Sequence, residues 1–518
     1  MPTTNGEHLL KERYFQPGED WPQLAARVGQ AVGRSKLEQE IYTELIEQEE
    51  FLPNTPALVG AGTDLNQLAA CFVLPVYDSM DGIFDAIKHA ALVHKSGGGT
   101  GFDFSNLRPA NSPVRSTKGV ASGPLSFMEV FNAATNTIKQ GGRRKGANMG
   151  VLRCDHPDIL DFIQAKRFDQ NKLTNFNISV GMTKRAMETG TVQFPDGEVL
   201  STNEVLRQAA HSAWSLGEPG VLFLDNINRN LPLTHPGWLR APNPCGEAPL
   251  LPFEACFLGS IDLNKVVDGK SLDWDALEGI VHHSIGLLDR MIDATNFPIS
   301  AIRNAVLQTR KIGLGVMGLH DVLMKMEVPY DSEEGRQKAG QIMSFIQQAA
   351  RVADWVYREN RGPCPVDLEF RNMTQTTVAP TGSLSMITGA SMGIEPVFSL
   401  QQERTVLDGQ RFQEVNGGFK TLLNRYSVFC RGDLPGSVAR CCRTAQEIAP
   451  TDHVRMQAVV QEYVDNAVSK TVNLPNNASV DDIVDIFHLA HTLGCKGVTV
   501  YRDGSRDEQV LNCVECEI

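Results

Sequence analysis

The stretch of sequence that most suggests chemistry is NPCGE, which runs from Asn243 to Glu247. Pro244 and Gly246 flank Cys245 and predict a tight loop that exposes its sulfur. On an extended loop, residues two apart point to the same side, so the amide, the thiol and the carboxylate would converge. Such a set suits work on a hydroxylated carbon, with one group to activate, one as base and one to hold. The plainer alternative is a turn with a buried cysteine.

Two further cysteines lie in apolar runs that are typical of strands, Cys71 in NQLAACFVLPV and Cys256 in FEACFLGSIDL. Each alone is typical of a core cysteine. Their local sequences are alike, with A-C-F followed by an aliphatic residue, which fits two parallel strands. Adjacent parallel strands could bring the two sulfurs within disulfide reach. The sequence leaves open whether these strands are neighbours.

A C-x-x-C motif, Cys513 and Cys516, lies in the polar stretch that follows Tyr501, where we expect a mobile tail. A zinc site would need two more ligands, and none is near in the tail. Exposed vicinal thiols on such a segment favour thiol–disulfide exchange instead. An incidental feature of the terminus is the alternative.

Three glycine-rich segments carry cations or hydroxyls: KSGGGTGFDF at 95–104, KQGGRRKGANMG at 139–150 and APTGSLSMITG at 379–389. In such loops, backbone N–H groups approach phosphate closely. None matches a Walker or dinucleotide motif, and each alone is as consistent with a turn. Together they indicate more than one phosphate-bearing ligand.

The elements that must position these groups alternate between helix and strand. Residues 8–50 are helical in pattern, and short apolar runs alternate with helical periods from there to about residue 505. Near the end, the helical pattern TDHVRMQAVVQEYVDNAV precedes a strand KTVNL. A helix capped by Ser479 and Asp482 follows, closed by Gly494, and then a strand KGVTVY. This order predicts a parallel sheet with covered faces, open or closed into a barrel.

Composition narrows the class of protein. The 518 residues carry a net charge of -13, and no Lys/Arg block could follow a nucleic-acid backbone, so we expect no nucleic-acid partner. The N-terminus has no apolar signal core, and no run of about 18 apolar residues could span a bilayer. We therefore expect a cytoplasmic protein without a membrane partner. Its 11 cysteines would be thiols by default, which leaves metal or redox roles.

In combination, these motifs resemble the catalytic subunit of a ribonucleotide reductase, specifically its adenosylcobalamin-dependent (class II) branch. The resemblance runs from about residue 50 to the C-terminus. It rests on FLPNTPALVGAG, ACFVLPVYDSMDGIFDAIKHAALVHKSGGGTGF, KQGGRRKGANMG, NPCGE, RKIGLGVMGLHDVL, APTGSLSMITGASMGIEPVF, DNAVSKTVNLP and CKGVTVYRDGSR.

The resemblance implies an α/β fold, a ten-stranded barrel with a central finger loop that carries Cys245. Residues 1–50 would form a short helical segment, too short for the ATP-cone domain of many reductases. Residues 51–504 would form the barrel with an allosteric specificity site, and 505–518 a flexible redox-active tail. The stretch between about 400 and 450 is short for this branch, which leaves open how the cofactor is covered.

The resemblance also implies roles for the cysteine loop and its neighbours. Cys245 becomes a thiyl radical that takes the 3′ hydrogen of the ribose. Glu247 accepts the 3′-hydroxyl proton, and Asn243 hydrogen-bonds the ribose hydroxyls. After the 2′-hydroxyl leaves as water, Cys71 and Cys256 supply two electrons and end as a disulfide. The tail cysteines would reduce this disulfide and be recharged by thioredoxin or a similar donor.

Two binding sites are carried over by the same resemblance. The residues assigned to the substrate are Thr55, Ala70, Gly99, Pro380, Thr381, Gly382, Ser383 and Ser385. Those assigned to an allosteric effector, a deoxynucleoside or adenosine triphosphate, are Asp78, Ser79, Lys95, Arg143, Arg144 and Lys145. In the family the effector site usually lies at a homodimer interface, so we expect a homodimer.

The radical source is the main open choice. The class I branch has a tyrosine pair where this chain has only Tyr501, and the glycyl-radical branch has a C-terminal glycine motif where this chain has CVEC. Both differences favour adenosylcobalamin. No residue is assigned to a metal, since the chain has no Asp-x-His-x-x-Gly motif for histidine ligation of cobalt. The alternatives are a class I-type subunit that needs a separate metal-containing radical generator, a ribonucleoside triphosphate as substrate, and a silent nucleotide-binding regulator. The regulator is disfavoured because the cysteines and Glu247 are all present.

Overall fold

A computed structural model describes residues 2–114, 118–140, 144–169, 171–232, 234–405 and 411–505 of the chain. Cys513, Cys516 and Arg143 lie outside these residues. For Arg144 and Lys145 the backbone is described and the side chains are not. Among the described residues, no helix is both long and apolar enough to span a membrane.

The strands are β1 (Phe51–Pro53), β2 (Cys71–Val73), β3 (Gly99–Asp103), β4 (Pro113–Val114), β5 (Gly119–Val120), β6 (Lys139–Gln140), β7 (Arg144–Lys145), β8 (Asn148–Arg153), β9 (Phe176–Met182), β10 (Thr191–Gln193), β11 (Val199–Ser201), β12 (Gly220–Phe223), β13 (Ala241–Pro242), β14 (Pro249–Leu250), β15 (Ala255–Asp262), β16 (Val267–Asp268), β17 (Ser271–Leu272), β18 (Ile312–Met317), β19 (Gln401–Thr405), β20 (Arg411–Val415), β21 (Thr471–Leu474) and β22 (Gly497–Arg502).

The α-helices are α1 (Thr4–Arg13), α2 (Trp21–Val32), α3 (Lys36–Glu47), α4 (Thr55–Gly60), α5 (Met80–Lys95), α6 (Gly123–Thr137), α7 (Ile159–Gln164), α8 (Lys184–Thr189), α9 (Thr202–Leu216), α10 (Leu224–Asn228), α11 (Trp274–Ala294), α12 (Ser300–Thr309), α13 (Leu319–Lys325), α14 (Glu333–Arg361), α15 (Gly382–Thr388), α16 (Gly417–Tyr426), α17 (Gly436–Ala439), α18 (Pro450–Gln461) and α19 (Val480–Thr492). Short 3₁₀ turns cover Leu263–Val266, Arg431–Asp433 and Arg440–Cys442.

The main sheet has ten strands and is built from parallel groups that run in opposite directions. Strands β2, β3, β8, β9 and β12 are parallel to one another. At one edge β22 pairs antiparallel with β12 and parallel with β21, and at the other β15 pairs antiparallel with β2 and parallel with β18. Bridges Leu314–Thr376 and Val378–Val468 continue the pairing from β18 towards β21, which closes the sheet into a barrel.

Glycines in the barrel strands let neighbouring backbone approach closely. A Cβ on Gly101 of β3 would lie 1.9 Å from the carbonyl oxygen of Pro242, on the hairpin within the barrel. A Cβ on Gly315 of β18 would lie 2.2 Å from the carbonyl oxygen of Thr377. Real Cβ atoms do not approach backbone this closely, so only glycine permits these contacts.

The helical N-terminal segment is confirmed as α1, α2 and α3. Asp20 caps α2 in a capping box with Gln23, and α2 packs along α3. Helix α1 contacts α15, and the Thr3 hydroxyl donates to the Met386 carbonyl at 2.7 Å. The N-terminal segment therefore rests against the APTGSLSMITG region.

The C-terminal alternation is also confirmed, with one correction. Ser479 and Asp482 form the capping box of α19, and Gly494 follows the helix with a φ of +83°. The preceding helix, α18, ends at Gln461 and does not continue through DNAV. Its continuation is pulled towards the barrel, because the Asp465 carboxylate accepts from the Gln375 N–H at 2.9 Å and the Asn466 amide donates to the Thr377 hydroxyl at 2.6 Å.

Candidate active site

A short hairpin carries the NPCGE stretch inside the barrel. Strands β13 and β14 pair antiparallel, and the residues between them form its tip. Gly246 has a φ of +86°, and its N–H donates to the Asn243 carbonyl at 3.0 Å, so the tip is a turn. The expectation of an extended loop is therefore wrong. Cys245 is exposed at the tip, whereas Asn243 and Glu247 are buried below it.

The barrel wall holds this hairpin in place. Gly101 lies against Pro242, and a Cβ on Gly99 would lie 3.0 Å from the Pro244 ring. The Asn177 amide on β9 donates to the Pro244 carbonyl at 2.8 Å. Gly99, predicted to bind substrate, thus packs under the hairpin, and its N–H is used by the Ala70 carbonyl at 2.9 Å. Nothing in the sequence pointed to Asn177, although glycines two apart in the GTG strand are a signal of close backbone approach.

Cys71 and Cys256 lie directly opposite each other, on β2 and β15. The two strands are antiparallel, so the expectation of parallel strands is wrong. The reason is that β2 and β15 form the seam where two groups of parallel strands, running in opposite directions, meet. Directly opposite Cβ atoms in antiparallel strands lie about 4.5–5.5 Å apart, which allows a disulfide with small adjustment. Both cysteines are buried free thiols.

The hairpin and the cysteine pair form one site. The Asn243 amide donates to the Cys71 sulfur at 2.9 Å, and the Cys71 thiol faces the Glu247 carboxyl oxygen Oε1 at 3.9 Å. Burial, followed by the nearby Glu247 carboxyl, raises the pKa of Cys71 well above its usual value. The pair is therefore held as thiols rather than thiolates.

Glu247 has an unusual environment for a carboxyl group. It is buried, and this desolvation raises its pKa to about 7, although hydrogen bonds to its backbone, Asn243 and Cys71 oppose the shift. Its Oε2 atom is buried and has no hydrogen-bond partner among the described residues. A carboxyl with this pKa and a free oxygen is suited to accept and return a proton near neutral pH.

A cavity of about 520 Å³ opens above the hairpin tip and has Cys245, Gly246 and Pro380 in its wall. A second cavity of about 100 Å³ is lined by Gly382 and Ser385. The two adjoin, because they share Met392, Pro396 and Phe398 in their walls. This volume is in the range of small-ligand sites, and it joins the exposed thiol to the APTGS segment.

The APTGS segment is an ordered turn into α15. Thr381 has a φ of +57°, and its hydroxyl lies 3.0 Å from that of Ser385 and accepts from the Gly393 N–H at 2.8 Å. Gly382 and Ser383 then begin α15, whose first N–H groups have no partners within the helix.

The other predicted substrate residues lie near the site or on its supports. Ala70 packs on the cluster around the hairpin, next to Cys71, and its N–H donates to the Cys256 carbonyl at 3.3 Å. Thr55 begins α4, and its hydroxyl lies 3.0 Å from that of Tyr14 on the N-terminal segment.

The predicted effector residues do not all come together. Ser79 caps α5 by accepting from the Gly82 N–H, and Asp78 beside it pairs with Arg108 at 2.8 Å. Lys95 lies at the opposite end of α5. Since α5 has 16 residues and an α-helix rises about 1.5 Å per residue, its ends are roughly 24 Å apart. Lys95 therefore lies far from Asp78 and Ser79 within one chain, and its assignment to the effector stays a prediction. Arg144 and Lys145 belong to a small hairpin, β6–β7.

Comparisons with known proteins agree with this architecture. A family model described as "Ribonucleotide reductase, barrel domain" matches residues 69–193, 193–366 and 369–501. The vitamin B12-dependent ribonucleoside-diphosphate reductase of Thermoplasma acidophilum is 44% identical over 510 residues, covering 92% of this chain and 66% of that protein. The protein of the same name from Mycobacterium tuberculosis (strain CDC 1551 / Oshkosh) is 42% identical over 559 residues, covering 97% of this chain and 80% of that protein.

Among solved structures, the class Id ribonucleotide reductase alpha subunit of Actinobacillus ureae matches with a TM-score of 0.84 at 19% identity. The match covers 97% of this chain and 98% of that one, and at this identity it shows the fold alone. The predicted ten-stranded α/β barrel with its finger loop is thus confirmed.

The barrel, its finger and the opposed cysteines define a ribonucleotide reductase, and the chain belongs to that family. Within it, the chain belongs with the vitamin B12-dependent reductases, which confirms the branch that the sequence resembles.

Proposed function

We propose that the protein is an adenosylcobalamin-dependent ribonucleoside-diphosphate reductase, which makes 2′-deoxyribonucleotides for DNA synthesis. The observation that carries this proposal is the arrangement at the finger. An exposed thiol, Cys245, stands over a buried carboxyl with a pKa of about 7, and that carboxyl contacts one of two directly opposed thiols. The names of the relatives supply the diphosphate substrate and the cofactor.

The hydrogen and proton steps are assigned to the hairpin. The Cys245 sulfur faces the cavity and takes the 3′ hydrogen atom of the ribose. The free Oε2 of Glu247 accepts the 3′-hydroxyl proton, which its pKa near 7 allows at neutral pH. Asn243 is fixed by a bond to the Cys71 sulfur and by the Ala248 N–H, which donates to its amide oxygen at 3.0 Å. A pre-positioned amide of this kind orients the ribose hydroxyls.

The electrons are assigned to the opposed cysteines. The 2′ carbon–oxygen bond breaks and the hydroxyl leaves as water. Cys71 and Cys256 each lose a hydrogen, their sulfurs join, and the two hydrogens end in the water and on the 2′ carbon. Cys71 contacts Glu247, so the thiol and the carboxyl that take part in these hydrogen and proton transfers are already adjacent.

The surroundings of Cys245 fit a radical-generating cofactor. The sulfur is exposed to the cavity instead of packed, and the cavity wall includes Met392, Phe398 and Tyr501 as apolar surface. These side chains would hold adenosylcobalamin against the finger. When bound there, the cofactor would supply the radical chemistry that converts the Cys245 thiol into a thiyl radical.

The substrate diphosphate is assigned to the smaller cavity. Gly382 and Ser385 line it, and Gly382 is the first residue of α15. A nucleoside over Cys245 could reach this cavity because the two cavities adjoin. Gly382 and Ser383 offer backbone N–H groups, which suit phosphate oxygens.

Allosteric control and assembly are part of the proposal. Asp78 and Ser79, with the loop that carries Arg143, Arg144 and Lys145, would bind a deoxynucleoside triphosphate or ATP that sets substrate choice. The neighbouring surface of α5 and α6 exposes large apolar side chains, which supports a homodimer at this face. These side chains are Tyr77, Met80, Phe84, Leu92 and Val130.

Re-reduction completes the proposed cycle. Cys513 and Cys516 would reduce the Cys71–Cys256 disulfide and be recharged by a thioredoxin-like protein. Both steps need a thiol-reducing compartment, so a cytoplasmic location belongs to the proposal.

The test is ribonucleoside diphosphate reduction by the purified chain with dithiothreitol and an effector, with and without adenosylcobalamin. Product only with the cofactor, and none with Cys245→Ala, is the expected result. Activity that instead requires a metal-loaded second subunit would overturn the choice of radical source. Parallel assays with the triphosphate decide the substrate class, and nucleotide binding without any turnover would indicate a regulator.

A further inference from the structure

A lysine stands beside the cysteine pair, and the proposed function gives it no role. Across the inner face of the barrel, β2, β15 and β18 are neighbours. Cys71 is opposite Cys256, and the ladder between β15 and β18 begins with Phe257 opposite Ile312. Lys311 directly precedes this ladder, so continuing the register by one residue would set it beside Cys256, and the Lys311 charge does act on Cys256. Paired residues on neighbouring strands point to the same face of a sheet. The side chains in this row are therefore the Cys71 thiol, the Cys256 thiol and the Lys311 ammonium.

Lys311 is held in a buried ion pair. Its Nζ lies 2.7 Å from Glu254 Oε2, and the two side chains are 1% and 2% exposed. Thr309 donates to the other carboxylate oxygen at 2.7 Å, and the Leu251 N–H also donates to Oε2. Burial would raise the pKa of Glu254, but the Lys311 charge and these hydrogen bonds outweigh it and leave that pKa below its usual value. Glu254 is therefore held as a carboxylate.

A half-buried histidine joins this pair to the outside. His235 Nε2 lies 3.0 Å from Lys311 Nζ, and its Nδ1 lies 2.7 Å from the Gly237 carbonyl. Because the carbonyl can only accept, Nδ1 carries the ring proton and Nε2 accepts from the ammonium. Burial and the Lys311 charge lower the pKa of His235, which keeps the ring neutral.

Buried ion pairs rarely add stability, because desolvation of both charges offsets their attraction. A charged pair at this place therefore calls for another reason. Re-reduction of a buried disulfide supplies one, because a thiolate must leave on one of the two sulfurs. Burial raises the pKa of Cys256 strongly and the Glu247 charge adds to this, whereas the Lys311 charge opposes it by more than the Glu254 charge adds. The cation thus favours the thiolate at Cys256 over that at Cys71.

We propose that Lys311 stabilises Cys256 as the leaving thiolate when a dithiol reductant attacks Cys71, and then donates the proton that restores the Cys256 thiol. This rests on the proposed function, in which the two cysteines are the electron source. Glu254 and His235 position the ammonium, because each accepts a hydrogen bond from its Nζ.

The electrons and protons balance. A reductant thiolate forms a bond to the Cys71 sulfur and breaks the Cys71–Cys256 bond, so the electron pair leaves on Cys256, which takes a proton from Lys311. The second reductant thiolate then attacks its partner sulfur and breaks the mixed disulfide. That electron pair leaves on Cys71, which takes a proton from Glu247 beside it. The reductant ends as a disulfide, and solvent replaces both protons, the one lost by Lys311 and the one lost by Glu247.

The experiment uses the full chain and does not depend on ribonucleotide turnover. The Cys71–Cys256 disulfide is formed with diamide, excess dithiothreitol is added, and samples are alkylated over time. Peptide mass spectrometry then reports this disulfide alone. In Lys311→Met the leaving thiolate has no cation beside it, so reduction of the Cys71–Cys256 disulfide should slow by at least about tenfold. Lys311→Arg keeps the charge and should stay within about threefold of the wild type.

Two further variants guard against a folding artefact. Lys311→Met leaves Glu254 unpaired, so Lys311→Met/Glu254→Gln removes both charges at nearly constant shape and should be equally slow. Lys265→Met removes an ion pair with Glu49 outside the barrel and should match the wild type. Thermal unfolding of each variant shows that the fold is kept.

A single turnover separates this inference from the proposed function. Pre-reduced protein with cofactor and substrate, but no dithiol, should give the same product yield in the wild type and in Lys311→Met/Glu254→Gln. Wild-type protein that gives no product overturns the proposed function, while the disulfide kinetics still report on Lys311. Wild-type rates of disulfide reduction in both charge-removing variants, or a Lys311→Arg as slow as Lys311→Met, overturn the inference.

Discussion

Cys245 and the Cys71–Cys256 pair share one barrel but have opposite surroundings. Cys245 is exposed at the tip of a turn, above a cavity of about 520 Å³. The pair is 4% and 0% exposed, between two strands of the barrel wall. A sulfur that must meet both a cofactor and a ribose needs access. Sulfurs that store electrons need shelter, because an exposed dithiol would exchange with any disulfide in solution. The barrel meets both needs over a short distance by turning the finger at Gly246.

Exchanging the thiols for hydroxyls tests this contrast with the largest effects. Cys245→Ser should reduce product formation at least about a thousandfold, because a hydroxyl cannot replace the thiyl radical. Its free energy of unfolding should change by less than about 0.5 kcal/mol, since the side chain is exposed. Cys256→Ser buries a hydroxyl and should lose about 1–3 kcal/mol. Urea unfolding and product assays check both, and equal stability losses would contradict the contrast.

Glu247 lies at the border between the two environments, and its replacement should be next in size. Glu247→Gln removes the proton acceptor and should lower kcat by roughly 10²–10⁴-fold. Burial on folding raises the pKa of Glu247 from its usual range to about 7, so the folded state favours the protonated form. The wild type should therefore lose stability relative to Glu247→Gln as pH rises from about 5 to 8, by about 3 kcal/mol at most. Urea unfolding at both pH values is the measurement, and a constant difference would disprove the buried-carboxyl description.

The packing of the finger hairpin against β3 can be disrupted by adding a single Cβ atom. Gly101→Ala would place a Cβ 1.9 Å from the Pro242 carbonyl, so the hairpin must move. We expect a loss of about 2 kcal/mol or more in stability and more than about tenfold in turnover. Gly279→Ala is the matched control, because it is an exposed helix position in α11 with nothing within 4 Å of the new Cβ. It should stabilise the protein by up to about 1 kcal/mol. Similar losses in both variants would refute the packing argument.

The smallest effect is expected at Asn177, which anchors the finger from β9. Asn177→Ala leaves the Pro244 carbonyl without this donor, and should cost about 1 kcal/mol of stability and roughly tenfold in kcat. The exposed Asn171, six residues earlier, is the control, and its replacement by alanine should change neither quantity. Steady-state kinetics would contradict the anchoring role if Asn177→Ala kept the wild-type kcat.

The sequence predicted the site well where chemistry is local. NPCGE alone placed three polar groups on one loop, and the fold class followed from the motifs. It could not predict that Cys71 and Cys256 face each other across antiparallel strands, because local pattern does not encode the direction of a neighbour. It also joined Lys95 to Asp78, although α5 holds them apart.

The residues that sequence reasoning missed depend on partners far along the chain. Asn177 is defined by Pro244, and Lys311 by Glu254 and by the register of β18. The end of α18 at Gln461 depends on polar contacts from the following residues to the barrel, not on helix propensity. Each of these features exists only once the barrel has closed.

The seam at β2 and β15 has a mechanical consequence. A disulfide between Cys71 and Cys256 closes a covalent ring that contains most of the first half of the chain. It also links β2 to β15, and so joins the two groups of strands that run in opposite directions. In a chain-entropy description, a ring of that size disfavours the unfolded state by about 5 kcal/mol. The reductase would then resist thermal unfolding most in its oxidised form, just after turnover, and would lose that extra stability each time the disulfide is reduced.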